Sequence, residues 1–250
     1  MNVLAIQDGH NASCVYLEDG EVRLAVQEER LRREKNFHGF PLQGIEFIEK
    51  ESGVKASEMD RIVLASSYVP SPPPGGREAR IRAYKKDPAK SRVKEGLKQL
   101  GVKRAVAAGQ IQKRKNILAQ MGCEQSKIEV MDHHFCHAAS AYYGWGKYDE
   151  DVLVLTNDGA GDDLCATVSI GSRGRLKRIA EVRMEHSIGE LWALFTAMMG
   201  MVPLEHEYKL MGLAPYAPES GVERVKRVLE DCFTFESDGL TWRVAGGCPP

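Results

Sequence analysis

Three histidines fall within five positions of "MDHHFCHAASAYY", residues 131–143, at the mouth of an alanine-rich helical stretch. His133 and His137 are four apart, so a helix stacks them on one face. That spacing lets two imidazoles hold one divalent cation. His134 would point about a quarter-turn away and needs another role. The same residues also make an ordinary polar helix entry with Asp132 as N-cap. Two imidazoles are an incomplete metal site, so other parts of the chain have to supply the remaining ligands.

A second kind of chemistry is repeated. "VLAIQDGHNASCVYLEDGEVRLAVQ" reads as an apolar strand, Asp8-Gly9, a small-residue turn and two more strands joined at Asp19-Gly20. "DVLVLTNDGAGDDLCATVSIGSRGRLKRIAEV" repeats the order around Asp158-Gly159. Asp-Gly between alternating runs signals a hairpin, and that reading suffices for Asp19-Gly20. At the other two turns the doubling favours phosphate handling. Glycine lets backbone N–H groups approach an anion, and the neighbouring aspartate can hold a cation bridging to phosphate. The residues concerned are Asp8, Gly9 and Asn11 in the first turn, and Asp158, Gly159, Gly161 and Asp162 in the second. Two such units predict a duplicated fold, each half with its own sheet. The pattern resembles the actin, hexokinase and Hsp70 superfamily, which implies an α/β fold with ribonuclease H-like halves and a nucleotide between them.

Composition sets broader limits. Hydrophobic content of 43%, charged content of 28% and a formal net charge of −1 are those of a globular protein with no overall field toward nucleic acid or membrane. Six cysteines without a C-x-x-C pair suggest neither zinc ribbon nor disulfide framework, and reduced thiols in the cytoplasm are expected. The start has no signal-peptide pattern, and no apolar run reaches the roughly 18 residues of a membrane span. Charge is uneven, however. Residues 76–115 hold fourteen Lys and Arg against three Asp and Glu, in three helical segments. Such a stretch can bind RNA or an acidic partner. Tyr84 is its one aromatic, and solvated helix faces have the same composition, so nucleic-acid binding is not the expectation.

Four segments carry a narrower resemblance: "DGHNASCVYLEDGEVRLAVQEERLRREKNFHGFP", "DHHFCHAASAYY", "NDGAGDD" and "HEYKLMGLAPY". In this order they resemble the N-terminal, metal-containing domain of O-carbamoyltransferases of the nodulation-factor and antibiotic-tailoring type. The likeness runs from Met1 to about Tyr216. It implies that carbamoyladenylate, made from carbamoyl phosphate and ATP in a separate C-terminal domain, gives its carbamoyl group to an acceptor hydroxyl here. It further implies that His133, His137 and Asp158 bind a divalent metal (iron, zinc or manganese), with another aspartate ligand beyond residue 250. His10 is implied to accept or orient the acceptor's proton, a task suited to imidazole. Lys35 matches a lysine near acceptor or phosphate, although a surface lysine would look the same. Glu207, Lys209 and Gly212 fall in a loop bordering the cleft, with Lys209 a phosphate contact. The helix before that loop should bury Leu191, Leu194, Phe195 and Met198.

The expected organisation is a first half over 1–150, with a basic helical insertion at about 76–120, and a second half over 151–250 that is incomplete. The glycine-rich adenosine loop, the last metal aspartate and the adenylate-forming domain are expected outside this sequence, and the chain alone could be inactive. The expected partners are a small-molecule hydroxyl acceptor, with ATP and carbamoyl phosphate entering through the missing domain. Two rivals stand: a tRNA threonylcarbamoyl transferase-like protein, and a non-catalytic nucleotide-binding module.

Overall fold

Alternation of apolar and polar residues builds the first sheet of the computed structural model, which describes residues 1–69, 76–84, 102–230 and 232–245. Strands β1 (Asn2–Gln7), β2 (Ser13–Glu18) and β3 (Glu21–Gln27) form an antiparallel meander. Asp19 and Gly20 both take positive φ, as the expected Asp-Gly hairpin requires. Strand β4 (Arg61–Ala65) pairs parallel to β1, and β5 (Ile128–Met131) parallel to β4. The resulting order, β3-β2-β1-β4-β5, is that of a ribonuclease H-like half. The crossovers are helices, as parallel neighbours demand.

Helices α1 (Glu28–Arg32) and α2 (Leu42–Ser52) link β3 to β4. Helices α3 (Gly76–Tyr84) and α4 (Val102–Gln120) lie between β4 and β5, and α5 (His133–Trp145) follows β5. One face of the sheet, with Leu4, Ile6, Tyr16, Ile62 and Leu64, packs on Ile45 and Ile48 of α2 and Leu118 of α4. Each such side chain, once buried, stabilises the fold by about 1.5–3 kcal/mol. Helix α2 has no side-chain cap of its own. Buried Glu28 stands in, accepting the N–H groups of Gln43 at 3.2 Å and Gly44 at 2.7 Å. Burial, with Glu28 nearby, pushes the Cys14 thiol up to about 12, which makes it inert as a nucleophile.

The chain packs as two units, 1–72 with 95–136 and 73–94 with 137–250. The expected break near 150 therefore falls earlier, inside α5. The reason is that Ala138 and Tyr142 of that helix bury against Val154 of the second sheet. The basic stretch also proves not to be a simple insertion over 76–120. Helix α4 is the crossover between β4 and β5, and it contributes Leu118 and Arg114 to the interior of the first unit. The middle helical segment expected there lies outside the described residues.

In the second unit, β6 (Val152–Gly161), β7 (Leu164–Ser172) and β8 (Arg175–Arg183) repeat the antiparallel meander of β1–β3. Asp162 and Asp163, then Arg173 and Gly174, take positive φ at its two hairpin turns. Asp162 is thus first of all a turn residue. Helix α6 (Ile188–Met198) follows, then α7 (Glu207–Leu213), α8 (Glu219–Leu229) and a hairpin of β9 (Phe233–Phe235) with β10 (Trp242–Val244).

Two expectations for this unit fail in whole or in part. Helix α6 fully buries Ala193, Thr196 and Ala197, leaves Leu191, Leu194 and Phe195 half-buried, and exposes Met198, so the expected face is met only in part. The helix starts in close contact with β6, where a Cβ on Gly189 would lie 2.8 Å from the Gly159 Cα. Second, Glu207, Lys209 and Gly212 lie on a short helix and not in a loop. Among the described residues Cys14, Cys123, Cys136 and Cys165 are free thiols, whereas Cys232 is disulfide-bonded, against the expectation of reduced thiols throughout. No described helix is long and apolar enough to cross a membrane.

Candidate functional site

The carboxyl ends of β1, β4 and β5 lie along one edge of the first sheet, the edge where open α/β sheets bind ligands. Asp8-Gly9-His10 follows β1, Ser66-Ser67 follows β4, and Asp132-His133-His134 follows β5. Neighbouring strands are about 4.8 Å apart, so the ends of β1 and β5 are separated by about 10 Å. The resemblance needs His10 and His133 at a common edge, and within this sheet they share one.

The first turn is held from several sides. Gln7 folds its amide oxygen onto the N–H of Gly9, and Asn11 takes positive φ. His10 is exposed and forms a β-bridge with His38. The N–H of Ala12 donates to the carbonyl of Phe37 at 3.2 Å. Lys35 is exposed on this same 33–39 segment, so a lysine 25 residues from His10 in sequence is carried on the loop that pairs with its turn. Nothing in the spacing of "NFHGF" marked His38.

Beneath the turn, Arg114 of α4 donates to a carboxylate oxygen of Asp8 at 3.3 Å. It also donates to the carbonyls of Ser66 and Ser67, each at 2.8 Å. Its composition hid it among fourteen basic residues, and only its burial, at 3% exposed, separates it from them.

The second turn is built differently. Asp158 and Gly159 lie inside β6, where the pairing jumps from Asn157↔Ala166 to Gly161↔Leu164. The extra residues bulge out of the ladder, the usual device for re-aiming a side chain. Gly159 donates its N–H to Asp158 Oδ1 at 2.7 Å. Ser187 caps α6 through the N–H of Glu190 at 3.0 Å and donates its hydroxyl to the Asp158 carbonyl at 3.4 Å. Gly189 lies directly on the turn: an added Cβ would be 2.8 Å from the Gly159 Cα. That contact was invisible in the sequence, because it joins residues 30 apart through backbone alone.

Helix α5 begins as expected, with Asp132 Oδ1 accepting the Phe135 N–H at 2.7 Å. His134 turns inward and is fully buried, its ring edge-on to His133 with centroids 5.5 Å apart. His133 and His137 are one turn apart on this single helix. His137 Nε2 lies 3.4 Å from Asp158 Oδ2. One ligand atom each from His133, His137 and Asp158 lie within 4.8 Å of one another. Two imidazoles and a carboxylate at that spacing suit zinc, iron or manganese. The hydrogen bond to Asp158 holds the His137 imidazole above its ordinary value, against the opposing effect of burial.

The remaining predicted residues have local partners. Glu207 accepts the Leu204 N–H at 2.6 Å, and Lys209 lies over the Tyr208 ring at 5.9 Å. Gly212 has open space where a Cβ would stand. Helix α7, which carries all three, packs against α6.

The first-sheet topology is that of a ribonuclease H-like α/β half, and two imidazoles from the start of α5 meet the Asp158 carboxylate of β6. A narrower assignment comes from sequence comparison. Residues 2–245 match the family model described as carbamoyltransferase N-terminus, and the chain belongs to that family. It is 30% identical over 252 residues to sll1178 of Synechocystis, covering 94% of this chain and 37% of that protein. To nodulation protein NolNO of Sinorhizobium fredii it is 30% identical over 213 residues, covering 83% of this chain and 28% of that one. The chain thus spans about a third of the length of the curated relatives it matches. Among solved structures, YeaZ from Pseudomonas aeruginosa overlaps 73% of this chain and 68% of its own, with 15% identity and a TM-score of 0.36. That overlap is too slight to argue from.

Proposed function

We propose that this region forms the metal-bearing, acceptor-side part of an enzyme that transfers a carbamoyl group from carbamoyladenylate to a hydroxyl of a small molecule. The observation that carries the reading is the convergence of His133, His137 and Asp158 within 4.8 Å. A divalent cation on these three side chains, iron, zinc or manganese, would supply Lewis acidity and a template for oxygen ligands. ATP and carbamoyl phosphate would enter through the two thirds of the relatives' length that this chain does not span.

In the transfer itself, the acceptor oxygen attacks the carbamoyl carbon while His10 takes the hydroxyl proton. The bond from that carbon to the phosphate oxygen then breaks, and AMP leaves with the electron pair. His10 suits the task because it is exposed, carried on a turn fixed by Gln7, His38 and Phe37. The turns at Asp8, Gly9 and Asn11 and at Gly159, Gly161 and Asp162 are assigned to phosphate or carbamoyl oxygens, with Lys35 and Lys209 as mobile cations. The N–H groups of Gly9 and Gly159 are taken up by side chains here, so an anion would have to displace Gln7 and the Asp158 carboxylate. A cytoplasmic setting, where ATP is abundant, fits this chemistry.

The test is transfer from supplied carbamoyladenylate to hydroxyl acceptors, together with elemental analysis of the purified protein. His10→Ala should fold, keep its metal and transfer at least about a hundredfold more slowly. Wild-type transfer by that variant would remove His10 from the chemistry, and stoichiometric metal in His133→Ala or His137→Ala would remove the centre. The rival tRNA-modifying reading rested on the basic stretch, and burial of Arg114 withdraws one of its charges from any RNA surface. Steeply salt-dependent tRNA binding would restore it.

A further inference from the structure

Arg114 is used by nothing in the transfer just described, yet its environment is unusual for a cation. Its side chain is 4% exposed, and that of Asp8 12%. Four acceptors face its guanidinium: the carbonyls of Ser66, Ser67 and Gln110 and the carboxylate of Asp8. Three neutral carbonyls would satisfy a neutral donor equally well. Burying a full charge there is unfavourable unless a counter-charge is fixed beside it, and Asp8 is that counter-charge.

The rest of the helix face works on the same segment. Gln110, one turn earlier, makes two bonds of 2.9 Å to the backbone of Val69. Together Gln110 and Arg114 hold residues 66–69 as the chain leaves β4. Ser66 takes a φ of 107°, sparsely populated for a residue with a side chain, and is itself buried. Backbone held in such a conformation persists only where the surroundings over-determine it. The clamp therefore joins the carboxyl ends of two adjacent parallel strands, β1 through Asp8 and β4 through Ser66 and Ser67. Two residues past Asp8 stands His10.

We propose that Arg114 is a positioning residue for the first Asp-Gly turn: by tying the Asp8 carboxylate to the carbonyls of Ser66 and Ser67, it fixes the backbone of residues 8–11 that presents His10. The consequence for catalysis rests on the carbamoyl-transfer reading. The consequence for the turn does not, so the two can fail separately. A buried ion pair replaced by apolar groups is often neutral in stability, which makes geometry the reason to keep one here. Lysine cannot reproduce the clamp, because its ammonium is a point charge without a planar fork.

The experiment is amide hydrogen exchange on the 250-residue chain, wild type against Arg114→Lys, Arg114→Met and the Asp8→Asn/Arg114→Met double variant. Arg114→Lys keeps the charge and should keep the fold. It is expected to exchange at least about tenfold faster at residues 9–12, with the strand amides of Ile62–Leu64 unchanged. The double variant should recover the melting temperature that Arg114→Met loses, since no unpaired charge stays buried, yet leave residues 9–12 as fast as in Arg114→Lys. Unchanged exchange at residues 9–12 in Arg114→Lys would overturn the proposal. So would acceleration spread equally over β4 and the turn, which would mark a purely structural clamp. In the transfer assay, Arg114→Lys should lower kcat about tenfold or more while the acceptor KM stays within about twofold, because a misplaced base costs rate and not binding. A raised KM with unchanged kcat would overturn the link to His10. If the wild type transfers nothing, the exchange result alone decides the role of Arg114.

Discussion

At the first Asp-Gly turn, the Asp8 carboxylate is 12% exposed and 3.3 Å from a guanidinium. At the second, Asp158 is 40% exposed and 3.4 Å from an imidazole. The dipeptide and the preceding apolar strand are alike, and the cation differs. The guanidinium is a rigid, planar partner, so the Asp8 carboxylate is already engaged by the protein itself. Histidine can give up its proton, so under the proposed metal assignment Asp158 and His137 would exchange that proton for a metal ion. Under the proposed function, the carboxylate of the first turn serves the protein's own geometry, and the carboxylate of the second serves a ligand.

The sharpest break in that comparison is metal content. His133→Ala, His137→Ala and Asp158→Ala should each lose bound metal by elemental analysis, by more than the 10–100-fold in affinity that an outer-shell partner contributes. Asp8→Asn should keep it. Equal loss in all four would erase the distinction between the turns.

Stability should divide the other way. Asp8→Ala leaves Arg114 buried and uncompensated, a cost of about 3 kcal/mol in chemical denaturation. Asp158→Ala, in metal-free protein, should cost under about 1 kcal/mol, as is usual for exposed pairs. Gly189→Ala sharpens the second turn specifically. Its new Cβ meets the backbone of Gly159 at 2.8 Å, and backbone cannot step aside as a side chain can. About 1–3 kcal/mol of stability should be lost, with weaker metal binding as β6 is pushed from α5.

The smallest effect is in pH. The His137 pKa is raised, first by its hydrogen bond to Asp158. In metal-free protein the pair's stabilisation is therefore full below the ordinary imidazole value and lost as pH rises through the raised one. With His137 52% exposed, the change should be slight. Metal affinity should run oppositely, tightening over the same rise because the ligand must shed its proton. A titration of affinity against pH that fell in this range would remove His137 from the ligand set.

Local pattern accounts for much of what was legible beforehand. Strict alternation and Asp-Gly punctuation gave both antiparallel meanders, and the i, i+4 histidines needed only a helix to share a face. Asp132 capped that helix as its side chain and position required. Such features depend on neighbours within a few residues. The face of α6 was only partly legible: Leu191, Leu194 and Phe195 are half-buried, while Ala193 and Ala197 are the residues fully inside, on the helix whose Gly189 touches the Gly159 backbone.

By itself, the sequence determined the kinds of elements, their order, the doubling of the Asp-Gly unit and the two imidazoles on one helix, because each follows from backbone periodicity and side-chain chemistry at short range. Only tertiary structure decided that Asp158 bulges toward His137, that His38 pairs with His10, and that one of the fourteen basic residues, Arg114, is buried against Asp8. Those are meetings between residues from 21 to 106 positions apart. They are set by strand register and helix packing, which no local pattern encodes.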